Sequence, residues 1–194
     1  GKGSTGFLPG TSVVAVVPLE GEIERSDDFV ETLADLQEDQ RYAAVVVRID
    51  SPGGAVAPSQ EMYEAVRRLR EKKPVIAAMG DVAASGAYYI ASAARKIVAN
   101  PATLTGSIGA YMEFQNFAGL MDMLGIESEI IKSGTHKDMG SASRSLTDQE
   151  RAIAQSIVDD SYQQFIEAVA TGRGDRISRE KLVEIADGRV LTGR

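Results

Sequence analysis

Short apolar runs alternate with amphipathic stretches through the first half of the chain, and this alternation constrains the fold more than any other feature. The runs TSVVAVVPLEG (11–21), YAAVVVRIDSPGG (42–54) and PVIAAMG (74–80) have the length and composition of buried strands. The stretches between them, 27–39 and 57–73, place apolar residues at helical spacing. Strands that alternate with helices in this way predict a parallel sheet with helices on its faces.

Several shorter elements are expected after the third strand. The stretch GDVAASGAYYIASAA (80–94) carries that strand into a helix that begins near Ala84. Further strands are predicted at 96–100, 105–112 and 127–134, and further helices at 116–126, 147–174 and 178–188. The polar stretch SGTHKDMGSASRS (133–145) has no periodicity, and a loop of this length is usually functional or mobile. Thr147 and Glu150 have the spacing of a capping box for the long helix.

Charge and composition exclude several kinds of function. The net charge of -7 argues against a nucleic-acid surface, which needs clustered Lys and Arg. The chain has no cysteine, so disulfides, thiol catalysis and cysteine-bound metals are excluded. No apolar run approaches the ~18 residues that span a bilayer, and no signal-peptide pattern is present. We expect one domain over 11–194, with 147–194 as a helical extension and 1–10 as a flexible lead-in or cloning remnant.

Ser85 is the first candidate for chemistry. It lies among small residues in AASGA, at the point where a strand is expected to become a helix. The N-terminus of a helix favours developing negative charge, so Ser85 could be a nucleophile with the Gly86 N–H directed at a substrate oxygen. A serine at this position is equally typical of a helix N-cap. The tetrapeptide AASG alone favours the cap.

Two glycine-containing turns are the next candidates. In DSPGG (50–54), Gly53 and Gly54 follow a buried strand and could expose backbone N–H groups where open α/β sheets bind ligands. In TLTGSIGAY (103–111), the Ser107 hydroxyl could line a pocket and bind a catalytic group. Both stretches are also ordinary turn sequences.

A serine nucleophile needs a base, and the sequence offers one histidine or a lysine. The histidine, His136, lies in the polar loop. A lysine acts as a base only when it is neutral, and at a pKa near 10.4 about one lysine in 2,500 is neutral at pH 7. Burial must therefore lower the pKa of such a lysine by several units. Lys137 lies where the loop could bring it over a cleft, but residue type alone does not select it.

Taken together, these segments resemble signal peptide peptidase A, a family of membrane-bound serine–lysine peptidases that share the fold of the Clp protease proteolytic subunit and the crotonases. The similarity covers most of the chain, and its longest block is GDVAASGAYYIASAARKIVANPATLTGSIG. It implies an α/β crotonase/Clp-protease-like fold, with repeated β-β-α and βαβ units, a parallel sheet and a C-terminal helical extension.

The resemblance also assigns roles residue by residue. Ser85 matches the family nucleophile, and Lys137 of KSGTHKD matches the general base. Ser107 of TGSIG matches a serine that orients the lysine, while Gly53 and Gly86 match the oxyanion hole. The histidine has no role in the family pattern. No metal or cofactor is expected.

The function implied is hydrolysis of remnant signal peptides, and of other small or unfolded peptides, at a prokaryotic membrane by a Ser85–Lys137 dyad. The resemblance further implies a ring-like homo-oligomer with sites at subunit boundaries, and a catalytic domain on the extracytoplasmic side. The membrane anchor is absent from this chain and the C-terminus at GRVLTGR is short, which we attribute to trimming. The alternatives are an acyl-coenzyme A hydratase or isomerase of the same fold, and an inactive scaffold.

Overall fold

The computed structural model describes residues 13–194 of the chain. The chain divides into two compact units, one of residues up to Gly109 together with Gln164–Arg194, the other of Ala110–Gln163. In chain order the elements are β1 (Val13–Glu20), α1 (Asp27–Glu38), β2 (Tyr42–Ser51), α2 (Val56–Lys72), β3 (Val75–Ala84), α3 (Gly86–Ser92), β4 (Lys96–Val98), β5 (Leu104–Gly106), α4 (Ala118–Leu124), α5 (Asp148–Arg173), α6 (Arg179–Ile185) and β6 (Val190–Thr192). The lead-in predicted for 1–10 lies outside the described residues, and a single domain over 11–194 stays a prediction.

A six-stranded sheet forms the centre of the first unit, with strand order β1-β2-β3-β5-β6 and β4 paired to β3 beside this path. The pairs β1–β2, β2–β3, β3–β4 and β3–β5 are all parallel. The helices α1, α2 and α3 lie between successive strands along the chain. The predicted α/β fold with a parallel sheet is therefore confirmed.

The core of the first unit follows from the apolar patterns of its strands and helices. Every second residue of the middle of β2 is buried, and α2 buries Met62, Val66 and Leu69, the stripe expected from its helical spacing. The Tyr89 ring lies 5.0 Å from the Tyr63 ring and 4.8 Å from the Phe165 ring, measured between centroids. This aromatic cluster fixes α3 between α2 and the C-terminal part of α5.

Two of the strands predicted after β3 differ in the structure. The helix predicted at 116–126 is present as α4, but the strand predicted at 127–134 is absent, and 105–112 contributes only to the short β5. Ile131 shows why the prediction at 127–134 was wrong, because this apolar side chain is 94% exposed instead of packed in a sheet. An apolar run with no neighbouring strand to accept its hydrogen bonds does not form a strand.

The C-terminal segment is not helical throughout. Residues 147–194 contain α5 and α6 as expected, but the chain then returns to the sheet as β6, which pairs antiparallel with β5 through Thr105 and Leu191. No strand is expected from the sequence after residue 188, and the three residues of β6 carry only a weak pattern of their own. This strand borders the turn that carries Ser107, the residue that resemblance assigns to orienting the base.

Candidate active site

The backbone of Ser85 is strained. Ser85 joins the end of β3 to the start of α3 with φ 52° and ψ -124°, a conformation that side-chain-bearing residues rarely adopt. It occupies the N-cap position of α3, yet its hydroxyl makes no capping hydrogen bond. The simple N-cap interpretation therefore does not explain the residue. Strain of this kind costs about 1–3 kcal/mol and is typical of functional sites.

The structure places Gly53 and Gly86, the two glycines that resemblance assigns to the oxyanion hole, against Ser85. A Cβ atom placed on Gly53 would lie 2.6 Å from the Gly86 nitrogen and 2.9 Å from the Ser85 Cβ. A Cβ atom on Gly86 would collide with the hydroxyl of the buried Ser59, which donates to the Ala55 carbonyl at 2.8 Å. Only glycine fits at either position, and the Gly86 N–H has no acceptor among the described residues.

The backbone N–H groups of the two glycines in SPGG differ in their hydrogen bonding. The Gly53 N–H donates to the Ser51 hydroxyl at 3.1 Å. Ile23 pairs with the backbone around Gly54: the Ile23 N–H donates to the Gly53 carbonyl at 2.8 Å, and the Ala55 N–H donates to the Ile23 carbonyl at 2.7 Å. The Gly54 N–H is left without an acceptor anywhere in residues 13–194. The free amide of this turn is thus that of Gly54, which the sequence alone could not select.

Ser107 lies one residue from a direct backbone contact with Ser85. The Ser85 N–H donates to the Gly106 carbonyl at 2.9 Å, and the Ser107 N–H donates to the Arg189 carbonyl at 2.8 Å. Ser107 has φ 51°, the second non-glycine residue with a positive φ in the described part of the chain. The two residues with unusual backbone conformation are therefore held to one another through Gly106.

The predicted base lies in the second unit. Lys137 is exposed, and its N–H donates to the Gly134 carbonyl at 3.2 Å. The neighbouring His136 has a buried Nδ1 atom with no hydrogen-bond partner among the described residues. The pairing of Lys137 with Ser85 stays a prediction, as does the lysine-orienting role of Ser107.

A network of charged side chains anchors the loop that carries Lys137. Asp138 accepts from Lys132 at 2.6 Å and from the Arg144 Nε at 2.9 Å. Arg144 also binds both oxygens of Glu150, at 2.8 and 2.6 Å. Sequence reasoning assigned Glu150 only to the capping box, which is present, since the Thr147 N–H donates to Glu150 at 2.9 Å and the Glu150 N–H donates to the Thr147 hydroxyl at 3.2 Å.

The carboxylates of this network are paired with positively charged side chains. Hydrogen bonds from Arg144, and then from Lys132, hold the pKa of Asp138 well below its usual range. Hydrogen bonds from Arg144, and then from the Thr147 backbone, lower the pKa of Glu150 to about 2. Both carboxylates are therefore charged at neutral pH, and the residue after Lys137 is fixed to the start of α5. The partners lie six residues apart in the sequence and share no helix or strand, so no helical or strand pattern would have revealed them.

Two further properties bear on the site. Within residues 13–194, no helix is long and apolar enough to cross a bilayer. The same residues contain no group of three or more His, Asp or Glu side chains arranged to hold a metal ion.

Comparison with solved structures supports the fold. The chain superimposes on a mutant of the 1510-N membrane-bound stomatin-specific protease with a TM-score of 0.62, at 18% identity, over 94% of this chain and 74% of that one. It superimposes on a ClpP1 mutant from Listeria monocytogenes with a TM-score of 0.58, at 16% identity, over 92% and 82% of the two chains. The Clp-protease-like fold is thereby confirmed.

Sequence comparison gives the family. Residues 67–194, which include Ser85 and Lys137, match the model of peptidase family S49. Protein slr0021 of Synechocystis sp., described as a protease, is 45% identical over 81% of this chain and 56% of its own length. The chloroplastic serine protease SPPA of Arabidopsis thaliana is 35% identical over 100% of this chain and 30% of its own length.

Protease 4 of Salmonella typhi is 33% identical over 86% of this chain and 27% of its own length. The chain thus spans about half or less of the length of these relatives. The family match nevertheless covers most of the chain, including the strained serine and the loop lysine. The chain therefore belongs to the serine peptidases of family S49, which confirms the predicted relationship with signal peptide peptidase A.

Proposed function

We propose that this chain is the catalytic part of a serine endopeptidase in which Ser85 is the nucleophile and Lys137 the general base. One observation carries the proposal: Ser85 is held in a strained conformation, its hydroxyl makes no capping bond, and the adjacent Gly86 N–H is unpaired among the described residues. A nucleophile and an oxyanion donor are thus presented together at the end of a parallel strand.

The reaction proceeds through an acyl-enzyme. The Ser85 Oγ attacks the scissile carbonyl carbon while its proton passes to the neutral amine of Lys137, and Lys137 then gives that proton to the leaving amine. Water attacks the resulting ester, Lys137 takes a proton from this water, and the proton returns to the Ser85 oxygen as the acid product leaves. The chemistry needs no group beyond these side chains and the backbone donors.

We propose that the oxyanion is bound by the N–H groups of Gly86 and Gly54. Both amides lack acceptors among the described residues, whereas the Gly53 N–H already donates to the Ser51 hydroxyl. The Gly54 nitrogen lies 3.4 Å from where a Gly86 Cβ would be, so the two donors border the same small space. Gly53, assigned to the oxyanion hole by resemblance, then shapes the turn with its φ of 97°.

We propose that a second copy of the chain completes the site. A lysine amine accepts a proton only when neutral, and the neutral form is favoured by shielding from water. Lys137 is exposed in the single chain, so another surface must cover it. The helix α4 of the same unit has no buried residue, and its Leu120, Met123 and Leu124 are 53%, 85% and 65% exposed. Such an apolar surface is typical of a subunit interface.

The proposed substrates are remnant signal peptides and other small or unfolded peptides, cut on the extracytoplasmic side of a prokaryotic membrane. Family membership and the surroundings of Ser85 support this choice. Ala83, Ala84 and Ala87, which flank Ser85 along the chain, have small side chains and are buried. Small apolar residues next to the scissile bond suit such a site.

Acyl-enzyme trapping tests the proposal. The full chain is mixed with an activated peptide ester and quenched with acid, and the modified residue is located by peptide mass spectrometry. We expect the acyl group on Ser85 and no adduct in Ser85→Ala, while the exposed-serine control Ser156→Ala stays labelled. An acyl group on another residue would contradict the assignment. Acyl-coenzyme A hydration without any adduct would favour the alternative enzyme class.

A further inference from the structure

A basic pocket lies at the opposite end of α3 from Ser85. Its volume is about 660 Å³, and its lining includes Arg70, Arg95, Arg173 and Arg176, with Asp175 as the one acidic residue. The chain as a whole has 28 acidic and 21 basic residues. The pocket therefore carries a concentration of positive charge, although the protein as a whole is negatively charged.

Two of these arginines are fixed by backbone carbonyls. The Arg70 Nη1 donates to the Ala93 carbonyl at 3.0 Å and to the Gly172 carbonyl at 3.3 Å. The Arg173 Nη1 donates to the Ser92 carbonyl at 3.2 Å and to the Ala94 carbonyl at 2.8 Å. These bonds orient the guanidinium groups and satisfy the end of α3. A carbonyl has no net charge, however, so the two positive charges are not neutralised.

The other two arginines, Arg95 and Arg176, do not bind the carbonyl groups at the end of α3. The Arg176 Nη1 reaches only the Arg173 carbonyl, at 3.5 Å, and the Arg95 side chain has no hydrogen-bond partner in the described part of the chain. None of the four pocket arginines forms an ion pair with a carboxylate of residues 13–194. A purely structural role for the cluster accounts for Arg70 and Arg173 but leaves Arg95 and Arg176 without a function.

The electrostatics of the pocket favour an anion. Burial lowers the pKa of Arg173, and the like charges of Arg176 and Arg70 act in the same direction. The guanidinium stays protonated, so the folded chain keeps repelling charges close together. A bound anion would offset this repulsion, and guanidinium groups bind phosphate through paired, charge-assisted hydrogen bonds.

We propose that this pocket binds a phosphate group, either as a free phosphate compound or as the headgroup of an anionic lipid. The volume lies within the range of roughly 300–1,000 Å³ found for small-molecule sites, so it accommodates a phosphate with its substituent. The site is separate from the candidate catalytic serine, since α3 spans Gly86–Ser92 and the pocket borders its C-terminal end. The proposal does not depend on peptidase activity.

Calorimetric titration with inorganic pyrophosphate, and co-sedimentation with vesicles of phosphatidylcholine with or without phosphatidylglycerol, test the proposal. The variant Arg95→Gln/Arg176→Gln removes the two arginines that do not support α3. Its control, Arg48→Gln/Arg151→Gln, removes the same charge from exposed positions outside the pocket. We expect binding to weaken roughly tenfold or more in the pocket variant and to change little in the control.

The two arms identify the source of the phosphate. Binding of pyrophosphate identifies a free compound, and binding only to phosphatidylglycerol vesicles identifies a lipid headgroup. The proposal is overturned if neither probe binds, or if the control variant loses as much affinity as the pocket variant. The single substitution Arg176→Gln, at an exposed position, gives the same comparison if the double variant unfolds.

Discussion

The N–H of Ser85 donates to the carbonyl oxygen of Gly106 across 2.9 Å, which ties the candidate nucleophile to the turn that carries Ser107. The Ser107 N–H in turn donates to the Arg189 carbonyl, directly before β6. The strained conformation of Ser85 is thus supported from segments about 20 and 100 residues away along the chain. This support explains how a conformation costing about 1–3 kcal/mol persists in the folded protein.

The first prediction concerns the close contact between Gly86 and Ser59. Gly86→Ala places a methyl group against the Ser59 hydroxyl and displaces the start of α3, so we expect kcat to fall about 10²–10³-fold because an oxyanion donor moves. Adding Ser59→Ala removes the obstructing oxygen, and kcat should partly recover. Peptidase kinetics on both variants give the result.

The control for this prediction is Ser59→Ala alone, which removes the hydroxyl without adding a methyl group at Gly86. Its kinetics should equal those of the parent protein. If Gly86→Ala kept full activity, or if the second substitution gave no recovery, the proposed position of the Gly86 amide would be incorrect.

The second prediction concerns the base. Lys137→Ala should lower kcat by about 10²–10⁴-fold, the usual contribution of a general base, while His136→Ala and the exposed-lysine control Lys181→Ala should change it little. Loss of activity in His136→Ala with an active Lys137→Ala would show that histidine is the base.

The third prediction concerns assembly. In an equimolar mixture of Ser85→Ala and Lys137→Ala, random exchange places an intact serine beside an intact lysine at about one quarter of the boundaries in a head-to-tail ring. We expect activity to return in the mixture, although each variant alone is inactive. Subunit exchange is followed independently by energy transfer between labelled chains. Exchange without recovered activity would mean that each chain forms its own dyad.

The fourth prediction concerns acid stability. The pKa values of Asp138 and Glu150 are lower in the folded chain than in the unfolded one, so their contribution is present above the ordinary carboxyl range. It is lost as the pH falls from about 4.5 towards the folded value, about 2 for Glu150. Thermal melts between pH 7 and pH 2 should show this fall in unfolding midpoint.

The variant Arg144→Gln leaves the buried Glu150 without its partner. We expect a lower midpoint at pH 7 and a smaller fall of the midpoint on acidification, because the pKa values of both carboxylates in the folded chain then lie closer to their unfolded values. Arg151→Gln, an exposed arginine of the same segment, should keep the parent profile. Equal profiles for the two variants would contradict a stabilising role for the network.

The sequence predicted those parts of the structure that depend on local patterns. The strands β1, β2 and β3 and the helices between them follow from apolar runs and helical spacing, and the Thr147–Glu150 capping box follows from residue type. The strand predicted at 127–134 failed because the apolar side chain of Ile131 is exposed in the folded chain. An apolar pattern alone cannot distinguish a strand of a sheet from an exposed apolar segment.

In the candidate site, too, some features could be predicted from the sequence and others depend on tertiary contacts. Resemblance led to Ser85 and Gly86, but the choice between Gly53 and Gly54 depends on the Ser51 hydroxyl and on pairing with Ile23. That pairing joins segments about 30 residues apart and leaves no trace in a local motif. The strain at Ser85 could not be predicted either, because the sequence AASG is compatible with an unstrained helix cap.

The positive φ of Ser85 also has an evolutionary consequence. Glycine adopts this conformation without the penalty that a side chain carries, so Ser85→Gly should raise thermal stability while removing the proposed nucleophile. The same substitution is therefore expected both to stabilise the protein and to inactivate it. If Ser85 is the nucleophile, as proposed, we expect copies released from selection for peptidase activity to drift easily into well-folded, inactive forms.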